Sequence, residues 1–305
     1  MASPSVSAIL DGIATSRVLE IPSELVQRTF WAEPAQSAII RIAVDVKFFQ
    51  HLKDAGDAGL TLSAFSQRTG DDSTLLQLLT RHLVAMNLVS FHNGAFYATK
   101  LTNGLAAENY QHSINFCYDV ARSSFNGFPE YFKKSEYNYP TLGGTDGPFQ
   151  EAHKTTLPFF EWLVATPPHL QNFDSFMSAD VLLIDGREPV IADVVADSTE
   201  RAFEVQAHDF FTPQPIKGAH AYSLHSILHD WSDEDGVKIL ENLVPALKKD
   251  YSRLLFNEIV INEEKPTLAA TNMDLIMLAH FAVRERTETD WRDILAQAGL
   301  KVVNG

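Results

Sequence analysis

An α/β fold preceded by a helical half is what the sequence predicts, on three observations. Residues 36–102 read as helix, turn, helix and two-stranded wing. From about Ala179 short β-rich runs alternate with helical stretches, the pattern of a largely parallel sheet with helices on both faces. Between them in importance stands Leu224 to Asp235, where the apolar run YSLHSIL, broken by a histidine, leads into an acid-capped helix.

The chain has 305 residues, enough for two domains and a sizeable core. Its 24 Lys and Arg against 39 Asp and Glu give a net charge of −15, which argues against a nucleic-acid backbone or an anionic membrane as partner. One cysteine, Cys117, excludes an internal disulfide framework and a cysteine-based zinc site. The start MASPSVSAILDGIATS has neither a basic opening nor a long apolar core, and no apolar run approaches the ~18 residues of a membrane span. A cytoplasmic location is the expectation.

Taken in order, residues 1–34 are polar, with amphipathic helical hints at Leu25 and Val26. An apolar helix is expected from Gln36 to Leu52, then a turn at Ala55-Gly56-Asp57-Ala58-Gly59. LTLSAFSQRTG reads as a short helix stopped by Gly70, and Asp71-Asp72-Ser73 caps a longer one, TLLQLLTRHLVAMNLV. Asn93-Gly94 marks a hairpin turn. A winged helix usually reads DNA, but its second helix here offers only Arg81, with His82 beside it, where a phosphate reader needs clustered cations.

Residues 105–178 are expected to be helical and are dense in aromatic side chains, among them Phe116, Phe149, Phe159, Phe160, Trp162 and Phe176. Beyond them VLLID and AFEVQ read as strands, with EPVIADVVA as a short helix or turn between. Ser232 stands at an N-cap position, Asp233, Glu234 and Asp235 load the first turn, and Lys248 and Lys249 are expected in the last. RLLFNEIVI reads as one strand and LAATNMDLIMLAHFAV as an apolar helix. Thr287 and Asp290 form a cap-and-reach pair before a final helix that Gly299 stops.

His229 falls at the carboxyl edge of a core element, where α/β proteins place their chemistry. An imidazole there, titrating near ~6.5 when unperturbed, can take a proton from a substrate hydroxyl; a core histidine bonded to backbone is the alternative. His225 and His229, four apart, lack the glutamate of a zinc helix and any cysteine, so no metal is expected.

LHSILHDWSDEDGVKILENL resembles the signature of the S-adenosylmethionine-dependent O-methyltransferases of the caffeate/flavonoid type, especially their fungal secondary-metabolite branch. TDGPFQ followed by LPFFEWL resembles another segment of that family. The resemblance implies a reduced class I, Rossmann-like methyltransferase domain at 179–305, preceded by a winged-helix dimerisation region at 1–105 and a helical acceptor-pocket linker at 106–178. It implies a homodimer and a small-molecule natural-product substrate. It makes His229 the general base, flanked by Glu258 and Glu285, because a carboxylate fixes the imidazole tautomer and stabilises the imidazolium as it forms. It places Asp209, Phe210 and His225 in a partial cofactor site, and Phe176, Met177, Asp230 and Met273 against the substrate.

One part of the pattern is missing. A nucleotide-type cofactor needs a glycine-rich turn after the first strand, because only glycine lets backbone N–H groups approach so closely. Here VLLID is followed by a single Gly186, and the second strand with its ribose-binding acid has no counterpart. The run Leu142-Gly143-Gly144-Thr145-Asp146-Gly147 follows NYPT rather than an apolar strand and reads as a loop. The sequence also ends where the family continues into a final hairpin.

Three functions are compatible with this. One is a catalyst that performs acid–base chemistry without methyl transfer (dehydration, isomerisation or pericyclic ring closure) on an aromatic or polyketide-type molecule, with no cofactor. The second is an S-adenosyl-L-methionine-dependent O-methyltransferase shortened by a gene model or splice form. The third is a non-catalytic partner of an intact methyltransferase.

Overall fold

In the computed structural model the described residues are Gly12, 20–141, 144–178 and 206–303. VLLID, EPVIADVVA, Gly186 and all but the last residue of AFEVQ lie outside them. The chain divides into two compact units, one of residues 15–122 and 163–183, the other of 1–14, 123–162 and 184–305.

The first unit carries the winged pattern. Helix α1 (Pro22–Val26) runs through a π turn, Gln27–Ala32, into α2 (Glu33–Asp45). The single helix expected from Gln36 to Leu52 is therefore wrong at both ends. It starts earlier, and it breaks at Lys47, which takes a left-handed φ of 53° before α3 (Phe48–Ala55). The break redirects the chain so that Phe48, Phe49 and Leu52 enter the core, where the Phe48 and Phe65 rings meet at 4.8 Å. Helix α4 (Leu62–Thr69) is capped by the Thr61 hydroxyl and stopped by Gly70 at φ 78°. The Asp72 carboxylate caps α5 (Ser73–Ala85).

Strands β1 (Val89–His92) and β2 (Ala95–Ala98) pair antiparallel through Asn93 and Gly94, both at positive φ, as a two-residue hairpin of right-handed twist requires. Helix α6 (Lys100–Leu105) follows, and α7 (Glu108–Phe116) packs along α11 (His169–Ser178). There the Phe116 ring meets Phe173 and Phe176 at 5.3 and 5.0 Å. Helix α8 (Arg122–Lys134) carries the chain onward.

The second unit adds α9 (Pro148–His153) and the start of α10 (Phe159–Ala165). Phe149, fully buried, is ringed by His153, Phe159, Trp162 and His280 at 4.5 to 6.0 Å. Strands β3 (Ala221–His225) and β4 (Arg253–Asn257) pair in parallel, as do β5 (Val260–Ile261) and β6 (Arg286–Thr287). RLLFNEIVI is thus two strands rather than one, interrupted at Glu258 and Ile259, because the Glu258 side chain takes over backbone donors of a neighbouring loop.

Helix α12 (Asp233–Leu243) has the expected Ser232 cap, but Val244–Ala246 tightens into a 3-10 turn. Pro245 supplies no N–H to continue the helix, so Lys248 and Lys249 fall beyond it and not in its last turn. Leu228, Ile239, Leu240 and Ile294 form the core under this sheet. Helices α13 (Leu268–Phe281) and α14 (Glu288–Gln297) complete the unit, with the Thr287–Asp290 capping box in place and Gly299 at φ 74°.

Candidate active site

Strands β3 and β4 end side by side at His225 and Asn257. Immediately after, Ser226 takes a left-handed φ of 50° and its N–H donates to the Asn257 carbonyl at 3.1 Å. This turns the chain so that the N–H groups of Ile227 and Leu228 both donate to Oε1 of Glu258, at 3.0 and 2.9 Å. A 3-10 turn, Leu228–Asp230, then sets His229 inward, with only 7% of its surface exposed.

Glu285, 2% exposed, stands just before β6. Its own N–H donates to the Asp274 carboxylate at 2.7 Å, and its Oε1 lies 2.8 Å from Nδ1 of His229. A carboxylate can only accept there, so Nδ1 carries the proton and Nε2 is left as the basic nitrogen. Nε2 in turn lies 3.5 Å from Oδ1 of Asp230.

Two features set the site's electrostatics. Burial opposes charge on the imidazole, but the Glu285 hydrogen bond and the nearby Asp230, Glu285 and Glu258 carboxylates outweigh it, holding His229 above its ordinary value. Burial likewise raises Glu258, against its two backbone donors, and pushes Asp230 up to about 6 with His229 opposing. The second oxygens of Glu258 and Glu285 are buried and find no hydrogen-bond partner among the described residues.

The sign of the pH effect follows. A group that holds its proton more tightly when folded adds stability at low pH and loses it as the pH rises through its folded value. Asp230 therefore adds stability below about 4, lost by about 6, and His229 follows above ~6.5. Asp230→Asn is expected to be more stable than wild type by about 3 kcal/mol at pH 8 and equal to it near pH 4. Urea unfolding at both pH values checks this, and parallel curves would refute it.

Of the other expected residues, Asp230 is the neighbour of the histidine just described, and Met273 lies half-buried on α13 next to Asp274. Phe210 meets the edge of Trp231, at 5.7 Å, beside the histidine turn. Asp209 is exposed and its carboxylate accepts from the N–H of Phe211, closing its own loop. His225 is exposed at the end of β3. Phe176 is buried on Phe116 in the first unit, and Met177 beside it is 47% exposed.

Arg286 is a residue that sequence reasoning passed over. It is 2% exposed and donates to the carbonyls of Leu228 (2.7 Å) and Trp231 (2.6 Å) and to the Asp233 carboxylate (2.8 Å). The only signal was its place between Glu285 and the Thr287 cap.

The strand and turn at which the resembled family holds its adenosyl methyl donor, 181–186, lie outside the described residues. Among the described residues no glycine follows the carboxyl end of a parallel strand, and one carboxylate oxygen of the exposed Asp209 closes its own turn. One face of β3 and β4, with Ala221, Ser223 and Leu255, is exposed where a full sheet is covered by helices.

The family model for an O-methyltransferase domain matches residues 189–301. The O-methyltransferase mpaG of Penicillium roqueforti is 52% identical, with 98% of this chain and 88% of the relative covered. That match runs over 353 positions against 305 residues here, so at least 48 positions (353 minus 305) of the relative lie opposite nothing. Among solved structures, LepI in complex with SAM aligns with a TM-score of 0.79 at 21% identity, covering 95% of this chain and 87% of that one. A structure described as a pericyclic reaction enzyme aligns at 0.80 and 22%, with the same coverage. Both likenesses establish the class I methyltransferase fold with its helical N-terminal domain.

Proposed function

Because the chain belongs to the fungal S-adenosylmethionine-dependent O-methyltransferase family, we propose that it acts on a hydroxyl-bearing natural product by acid–base catalysis at His229, without transferring a methyl group itself. The observation that carries this reading is the buried His229–Glu285 pair at 2.8 Å, in a chain shorter than the relative it matches.

Nε2 of His229 takes the proton of a phenol or enol hydroxyl, and Glu285 holds the resulting imidazolium through Nδ1. The raised affinity of His229 for its proton makes the imidazolium a usable acid near neutral pH. It returns that proton to a leaving hydroxyl in a dehydration, or to carbon in an isomerisation or ring closure. Glu258 sits across the same turn and adds negative charge that favours the imidazolium. Asp230, next to Nε2, and Met273 of the same unit meet the substrate. The exposed Ile21, Leu25, Val26, Phe30 and Trp31 on and beside α1 favour a homodimer built through the winged unit.

A second reading has one specific observation behind it: the positions that mpaG has and this chain lacks. A longer form carrying them would be an S-adenosyl-L-methionine-dependent O-methyltransferase, with Asp209, Phe210 and His225 on the cofactor. Calorimetric titration of the 305-residue chain with S-adenosylmethionine and S-adenosylhomocysteine separates the two. No saturable heat is expected from either compound. Stoichiometric binding at micromolar affinity would overturn the proposal.

A further inference from the structure

The three acid–base residues arrive on three separate segments, and among the described residues each adjoins only a two-stranded sheet. His229 is in a 3-10 turn after β3, Glu258 is in the gap between β4 and β5, and Glu285 precedes a two-residue strand. Short irregular segments of this kind hold a geometry of tenths of an ångström only when something else fixes their backbones.

We infer that Arg286 and Trp291 form a clamp that positions all three. The guanidinium of Arg286 donates to the carbonyls of Leu228 and Trp231, which bracket His229. It lies over the Trp291 ring, 4.8 Å from the centroid, and its third bond runs to Asp233 at the start of α12. The indole N–H of Trp291 donates to the Ile259 carbonyl at 3.0 Å, the residue after Glu258. Arg286 itself follows Glu285 in the chain. One stacked pair of side chains, 2% and 7% exposed, thus ties the backbone on either side of the base to that beside each carboxylate.

The chemistry demands arginine. Three acceptors lie in the directions of a planar fork, and the flat face is needed for the ring; an ammonium supplies neither arrangement. Arg286 and Trp291 are positioning residues. They act through His229, Glu258 and Glu285, and their role as stated rests on the proposed acid–base function.

The test follows the titration of the His229 imidazole by long-range 1H–15N NMR on the full chain with labelled histidine. Glu285→Gln calibrates the loss of the carboxylate partner. Arg286→Lys is expected to lower the His229 midpoint by about one pH unit, as the ring swings off Glu285. Trp291→Phe keeps an aromatic ring but loses the indole donor, and is expected to shift the midpoint in the same direction by less. Folded Arg286→Lys protein with an unmoved His229 midpoint would overturn the clamp, however much its melting temperature fell. If Arg286→Lys does not fold, Trp291→Phe decides by the same readout. The two ideas fail separately, because an inactive role for His229 would show as unchanged turnover in a His229 variant while its titration still reported on the clamp.

Discussion

Replacing His229 by glutamine is expected to lower turnover by about 10²–10⁴-fold, the usual contribution of a positioned general base, with little change in thermal stability. Glutamine fills most of the imidazole's volume and its amide N–H can still donate to Glu285, so the buried carboxylate keeps a partner. What it lacks is a basic nitrogen at the Nε2 position. The assay is consumption of phenolic and enolic polyketide-type compounds by the wild-type chain, followed by mass spectrometry, with the variant run on whichever compound reacts. A companion variant, Glu285→Gln, keeps the base but removes the charge that supports the imidazolium. Its rate–pH profile should move to lower pH, since the hydrogen bond that His229 donates to Glu285 is the largest of the causes holding His229 up. A His229→Gln protein that turns over at the wild-type rate would remove the histidine from the chemistry altogether.

The second large effect is on stability. Phe149→Ala is expected to destabilise the second unit by about 3–5 kcal/mol. Phe149 has no exposed surface, and four rings from three segments converge on it: His153 on its own helix, Phe159 and Trp162, and His280 on α13. Large aromatic neighbours in fixed edge-on arrangements cannot collapse into the space left, so the loss includes a cavity contribution as well as the transfer of the ring to water. The same packing keeps His280 neutral, its affinity for a proton lowered to about 3 by burial first and by His153 second. Urea denaturation should show an earlier midpoint. A loss under about 1 kcal/mol would mean that these rings are not a packed core.

What could be read in advance was local. The caps at Asp72, Ser232 and Thr287, the stops at Gly70 and Gly299 and the Asn93-Gly94 hairpin each depend on residues within a few positions, and each was visible in the chain. What could not be read was settled at a distance. Nothing near Lys47 announces a left-handed residue; the reason for it is the core that Phe48 and Phe49 must enter. RLLFNEIVI is rich in branched residues throughout, and only the two N–H groups of a loop about 30 residues upstream draw Glu258 out of strand geometry. The acid–base trio was identifiable through resemblance, yet its order was not: Glu285 touches the imidazole directly, whereas Glu258 grips the backbone of the turn that carries it. Arg286 illustrates the limit, since its carbonyl partners lie 58 and 55 residues earlier and carry no signature of their own.

The two buried carboxylate oxygens of Glu258 and Glu285 that find no donor among the described residues have a further meaning for how this protein can evolve. Desolvated acceptors without donors weaken the empty protein, and a guest offering hydroxyl groups relieves that tension as it enters. Resting toughness and hospitality are therefore opposed at this spot. An inward-facing asparagine or lysine that quenched those oxygens would make the vacant molecule sturdier and its guests less welcome, so gains in heat resistance here should be traded against ligand affinity.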